Sequence, residues 1–163
     1  FDPNLPRDLT YCGPYRLEDS LPDSNMLVGD AILSPTRSYA PVIYKALAEL
    51  GSEIKGLIHC SGGAQTKCLK FGNQVHFVKD NLFPTPPLFA AIQQASGTGW
   101  QEMYKVFNMG HRMEIYVSPA RVNEVIDIAR SFGIDAQQIG YTAHADSNHL
   151  TLTDPLGNRH AYT

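Results

Sequence analysis

No stretch of this 163-residue chain approaches the roughly 18 apolar residues of a membrane span, and no signal-peptide pattern opens it. Charge of either sign is not in excess: 13 Lys and Arg against 16 Asp and Glu leave a net −3. A basic nucleic-acid surface is therefore not indicated, and neither nucleic acid nor membrane is an expected partner. Cysteine is scarce, with Cys12, Cys60 and Cys68 forming an odd set that lacks C-x-x-C. Buried or incidental thiols in a reducing compartment are the simplest reading, so a cytoplasmic protein is expected. Internal repeats and low-complexity tracts are absent. So are the G-x-x-x-x-G-K-[ST] and G-x-G-x-x-G loops and the G-x-S-x-G nucleophile elbow.

What remains is one domain's worth of patterned sequence. Residues 1–28 carry Pro3, Pro6, Pro14 and Pro22 with little periodicity, which predicts an irregular arm or linker suited to lie on a partner surface. The chain opens on Phe1 rather than Met, which leaves open a fragment of a longer protein or a stand-alone product. Regular structure is expected from about residue 29, giving a domain over 29–163. Val42, Ile43, Ala46, Leu47 and Leu50 have helical spacing, closed by Gly51. "KGLIHC" (55–60) and "QVHFVKD" (74–80) read as strands, with about two helical turns between them at 64–70.

"PTPPLFAAIQQAS" and "WQEMYKVF" read as helices. "HRMEIYV" alternates, sending Met113, Ile115 and Val117 one way and Arg112, Glu114 and Tyr116 the other. Ser118 is placed to cap a helix with Pro119 at its first position and a core stripe of Val122, Val125, Ile126, Ala129 and Phe132, ended by Gly133. Short strands at 136–142, 148–153 and 158–162 finish the chain. The resulting order, βαβ(α)βααβαβ(ββ), calls for an α/β or α+β domain with helices packed on a mixed sheet.

Three stretches invite a chemical reading. In "HCSGGAQ" (59–65) the glycines let backbone N–H groups approach an anion and Ser61 adds a hydroxyl, but a plain strand-to-helix turn explains the same residues. In "FNMGHRM" (107–113) Asn108 and Gly110 bracket a junction. Either they form a structural turn with His111 and Arg112 solvated, or they set an amide beside a bound small molecule. In "SPTRSY" (34–39) Thr36 and Arg37 could meet a phosphate near a helix start, or be ordinary surface residues. His59, Cys60, Cys68 and His76 have no recognised metal-ligand spacing, so no metal site is expected. His144, His149 and His160 read as scattered surface histidines.

Taken in order, "GDAILSPTRSY", "GLIHCSGGAQTKCLKF" and "EMYKVFNMGHRMEIYV" resemble the carboxy-terminal half of the aminoimidazole ribonucleotide synthetases (phosphoribosylformylglycinamidine cyclo-ligases). The likeness covers roughly residues 29–142. The chain departs from the family at Ala64, which stands at the third glycine, at Gln65–Cys68, and at His111–Arg112. The resemblance implies a second domain with partial ferredoxin-like topology. It implies a homodimeric, ATP-dependent parent enzyme whose amino-terminal domain, absent here, binds most of the ATP and Mg2+. That domain and a small ribonucleotide substrate would be the partners.

The implied reaction closes formylglycinamidine ribonucleotide to aminoimidazole ribonucleotide. The substrate and phosphate contacts expected of this domain are His59, Ser61, Gly62, Gly63, Asn108 and Gly110, with Thr36 and Arg37 as further candidates, and this chain alone should not catalyse. A stand-alone nucleotide- or anion-binding regulatory module, a selenophosphate synthetase-like paralogue and a ligand-free scaffold are the competing readings.

Overall fold

Proline and glycine punctuate the chain much as their backbone preferences dictate. The computed structural model describes residues 3–6 and 13–163. Helix α1 spans Val28–Leu33 and α2 Ala40–Leu50, with Pro41 in its first turn and Gly51 beyond its end. Strand β1 is Ile54–His59 and β2 Val75–Lys79, joined by a 3₁₀ segment at Ala64–Lys70. Helices α3 (Pro87–Ser96) and α4 (Trp100–Val106) lead to β3, Met113–Val117. Helix α5 (Val122–Ser131) precedes β4 (Gly140–His144), β5 (His149–Thr153) and β6 (Arg159–Tyr162).

This is the expected mixed α/β architecture, with its strands divided between two sheets. β1 and β3 pair antiparallel. The other four run β4-β2-β5-β6, with β2 and β5 parallel and the remaining pairs antiparallel. The small sheet is covered on both faces. Ile54, Ile115 and Val117 pack with the buried Val42, Ala46 and Leu50 of α2 and Val125, Ile128 and Ala129 of α5. Ile58 and Tyr116 join Phe77, Leu150, Leu152, Met103 and Tyr104 in the larger core, between the small sheet, the four-stranded sheet and α4. Leu150 and Leu152 are wholly buried. Each contributes about 1.5–3 kcal/mol of transfer free energy.

Several local expectations are corrected. Among the described residues the element order opens on helix α1 rather than a strand. The strand expected at 136–142 begins at Gly140, because its partner β2 ends at Lys79, which pairs with Gly140. Residues 137–139 instead hold the loop after β2: Ile139 O accepts from Asp80 N, and Gln137 Nε2 donates to Asn81 O. Ser118 stands before a 3₁₀ turn, Pro119–Arg121, and makes no side-chain cap. Its hydroxyl donates to Glu53 Oε2 at 2.6 Å. Phe132 is 44% exposed, with Lys45 Nζ 5.9 Å from its ring centroid, and Ile128 takes the buried place.

Of the arm, residues 1–2 and 7–12, Cys12 among them, lie outside the described residues. Its later part is mostly turns, and Leu21 packs with Val28 and Ala91 of α3. His160 is not a surface residue: its Nε2 lies 3.1 Å from Asp154 Oδ2 in the β5–β6 hairpin. His149 stacks on His76 with ring centroids 4.0 Å apart. No described helix is long and apolar enough to cross a membrane.

Candidate functional site: two turns on a buried ion pair

Strand β1 ends at His59, and the chain turns at once. Ser61 N donates to His59 O and Ala64 N to Ser61 O, each at 2.8 Å. Gly63 has φ of +88°, a conformation glycine adopts without the Cβ clash of other residues. Ser61 and Gly62 are exposed and Gly63 is half-buried. A Cβ built on Gly62 would meet nothing within 4 Å, so the turn opens onto free space.

The second turn lies at the start of β3. Asn108 Oδ1 accepts from Gly110 N at 3.0 Å, the Asx geometry that suits Asn in a turn, and Asn108 O accepts from His111 N. Gly110 has φ of +92°, and a Cβ there would press on Pro86 Cγ at 3.1 Å. The Asn108 Nδ2 group has no acceptor among the described residues and is the amide donor this turn can offer.

Gln65 joins the two turns. It is fully buried, and its Nε2 donates to Asn108 O at 2.8 Å. Its backbone O and its Oε1 both accept from Lys79 Nζ, at 2.8 and 3.1 Å. Lys79 is 3% exposed and ion-paired with Glu114, itself 5% exposed. Tyr116 donates to Glu114 Oε2 at 2.5 Å, and the Cys60 thiol lies 3.2 Å from Glu114 Oε1. No buried side-chain polar atom among the described residues lacks a partner. That completeness is what makes a buried ion pair tolerable.

Burial, and then the Glu114 carboxylate, push the Cys60 thiol far above its usual range. Burial pushes Cys68 up to about 11, so both thiols stay protonated and unreactive at neutral pH.

His111 corrects the solvated reading of its turn. It is 5% exposed, accepts from Phe83 N through Nε2 at 3.0 Å, and donates from Nδ1 to Met109 O at 3.2 Å. Those two bonds require the neutral Nδ1–H tautomer. Burial, and then the nearby Lys79 charge, lower its pKa to about 4.

The remaining candidates fall differently. His59 is exposed at the end of β1, beside the first turn. Thr36 and Arg37 are exposed in the segment before α2, where Arg37 Nη1 donates to Gly133 O just past α5. Neither shares a hydrogen bond with either turn. A separate apolar cleft of about 400 Å3 lies between β3, α5 and residues 134–142. Gly110 and His111 reach its lining, but no residue of 59–67 does. His59, Cys60, Cys68 and His76 do not converge, and no described group of three or more His, Cys, Asp or Glu residues could hold a metal ion.

The sequence pattern of "AIR synthase related protein, C-terminal domain" matches residues 16–153. The chain belongs to this family. Among curated relatives, the phosphoribosylformylglycinamidine cyclo-ligase of Methanocaldococcus jannaschii is 34% identical over 113 residues, covering 69% of this chain and 32% of that protein. That of Methanopyrus kandleri is 29% identical over 145 residues, covering 85% and 41%. The chain thus spans about a third to two-fifths of the length of these relatives. Among solved structures, the hydrogenase maturation protein HypE of E. coli shares the fold, with a TM-score of 0.50 and 14% identity over 78% of this chain and 40% of that one.

Proposed function

We propose that this chain is the C-terminal domain of an ATP-dependent cyclo-ligase converting formylglycinamidine ribonucleotide to aminoimidazole ribonucleotide, and that its two turns form one wall of the substrate and phosphate cleft. The kinship with phosphoribosylformylglycinamidine cyclo-ligases supports the reaction. The observation that carries the site is the Gln65 side chain, which holds the Ser61–Gly63 turn and the Asn108 turn on one buried anchor while their outward donors stay free.

The chemistry asks for such a wall. The formyl oxygen is a poor leaving group until the γ-phosphoryl group of ATP is transferred to it. An internal nitrogen of the substrate then attacks the same carbon, the ring closes and inorganic phosphate departs. Charge moves on phosphoryl oxygens throughout, and catalysis of that kind rests on positioned donors. Ser61, Gly62, Gly63 and the Asn108 amide supply donors, with His59 at the edge of the turn. They suit phosphoryl and carbonyl oxygens and not Mg2+, which takes carboxylate oxygens. Mg2+ and most of the ATP are therefore assigned to the amino-terminal domain of a dimeric parent, and this chain alone is inactive.

The test measures ATP hydrolysis coupled to formylglycinamidine ribonucleotide, in the full-length parent and in the 163-residue chain. Activity confined to the parent is expected. A well-folded parent that turns over no ribonucleotide would sink the reading and favour a paralogue or a regulatory module.

A further inference from the structure

Lys67 has no carboxylate partner among the described residues, and its ammonium lies 2.7 Å from Ser61 Oγ. The 3₁₀ segment brings it there. Thr66 N and Thr66 Oγ1 both bond Gly63 O, fixing the first residues of the segment against the turn. A Cβ on Gly63 would lie 3.6 Å from both Cα and Cβ of Lys67, so the lysine stem passes directly over the glycine.

The donor sense of this contact matters. An ammonium group can only donate, so Ser61 Oγ is the acceptor and keeps its own hydroxyl proton to give away. The acceptor for that proton inside the protein is His59 O at 3.5 Å, the outer limit of a hydrogen bond. Gly62 N and Gly63 N have no acceptor among the described residues. One ammonium, one hydroxyl and two backbone N–H groups therefore meet at an exposed turn, with open space above Gly62 and no carboxylate bonded to any of them.

We propose that Lys67 is the charged residue of an anion site built with Ser61, Gly62 and Gly63, and that it takes a phosphoryl group of the substrate. This rests on the reading that the turn faces phosphate, and it adds what the turn otherwise lacks, a full positive charge. Lysine acts here as a point charge beside backbone donors, a combination that favours a dianion over a neutral carbonyl.

The probe is inorganic phosphate, titrated into the 15N-labelled 163-residue chain at constant ionic strength, with chloride as the control. The Gly62 and Gly63 amide resonances are expected to shift saturably. Lys67→Met should weaken that binding by about tenfold or more, and Lys67→Arg should stay within about threefold of the parent sequence. Equal affinity in Lys67→Met, or shifts that chloride reproduces, would overturn the proposal. Unchanged resonances elsewhere in each variant separate lost binding from lost folding.

In the full-length parent, Lys67→Met should raise KM for the ribonucleotide about tenfold while kcat changes less, with Lys67→Arg restoring it. An unchanged KM in an active parent removes Lys67 and leaves the cyclo-ligase standing. A parent inactive on the ribonucleotide removes the cyclo-ligase, and the phosphate titration then decides Lys67 by itself.

Discussion

His111 offers the sharpest test of the buried architecture, because its two ring nitrogens are committed in opposite senses. Nε2 must be bare to accept from Phe83 N, and Nδ1 must carry the proton it gives to Met109 O. Protonating Nε2 breaks the first bond and creates a second cation near Lys79, which Glu114 offsets only in part. The folded-state pKa is lowered from an ordinary 6.5 to about 4. The unfolded chain therefore takes up a proton first as pH falls. Stability from this group is fully present above about pH 6.5 and is lost as pH falls toward 4. At about 1.4 kcal/mol per pKa unit the whole loss is about 3 kcal/mol. Between pH 6.5 and 4.5 it is about 2 kcal/mol.

The measurement is urea unfolding at steps of pH from 7.5 to 4.5, on the parent sequence and on His111→Gln. Glutamine keeps one donor and one acceptor but does not titrate. The variant should lose about 1–2 kcal/mol at pH 7.5, from poorer hydrogen-bond geometry, and its stability should then fall about 2 kcal/mol less than the parent's on going from pH 6.5 to 4.5. Parallel curves for the two proteins would refute the argument. So would an imidazole resonance of His111 that titrates near pH 6.5.

Two further outcomes follow from the packing. Lys79→Met should cost about 3–5 kcal/mol by stranding the Glu114 carboxylate in the core, and Lys79→Met combined with Glu114→Gln should recover much of that loss. Equal urea midpoints for the single and double variants would mean that the pair is not coupled. Gly140→Ala should cost about 2 kcal/mol or more in a thermal melt, because its Cβ would fall 1.8 Å from Val78 O, in the β2–β4 pairing. Gly62→Ala, with nothing within 4 Å, should cost well under that, and similar melting for the two would contradict the packing at Gly140.

The sequence disclosed what local rules control. Helical spacing and bounding glycines mark α2 and α5, and alternation marks β3, because burial of one face follows from the period alone. It misplaced β4, whose start is set by where β2 ends and not by its own residues. The same division runs through the site. Ser61–Gly63 and Asn108–Gly110 were legible, since glycine and asparagine announce turns, whereas Gln65, Lys79 and Glu114 are separated by 14 and 35 residues and meet only in the fold.

One local clue to that meeting was nonetheless present. In β2 Lys79 shares strand parity with the buried Phe77, and in β3 Glu114 shares it with Tyr116, which packs edge-on against Phe77. Lys79 stands against the apolar period of β2, whereas Glu114 lies on the face of β3 opposite Met113, Ile115 and Val117; with both buried by the fold, the two charges pair. Once paired, Lys79 still has protons to give, and the backbone and side-chain oxygens of Gln65 take them. The polar core therefore holds the first turn to the sheet, and the Gln65 amide extends that hold to the second. A charge placed against the hydrophobic period of a strand marked the support of the candidate site more directly than the glycines marked the site itself.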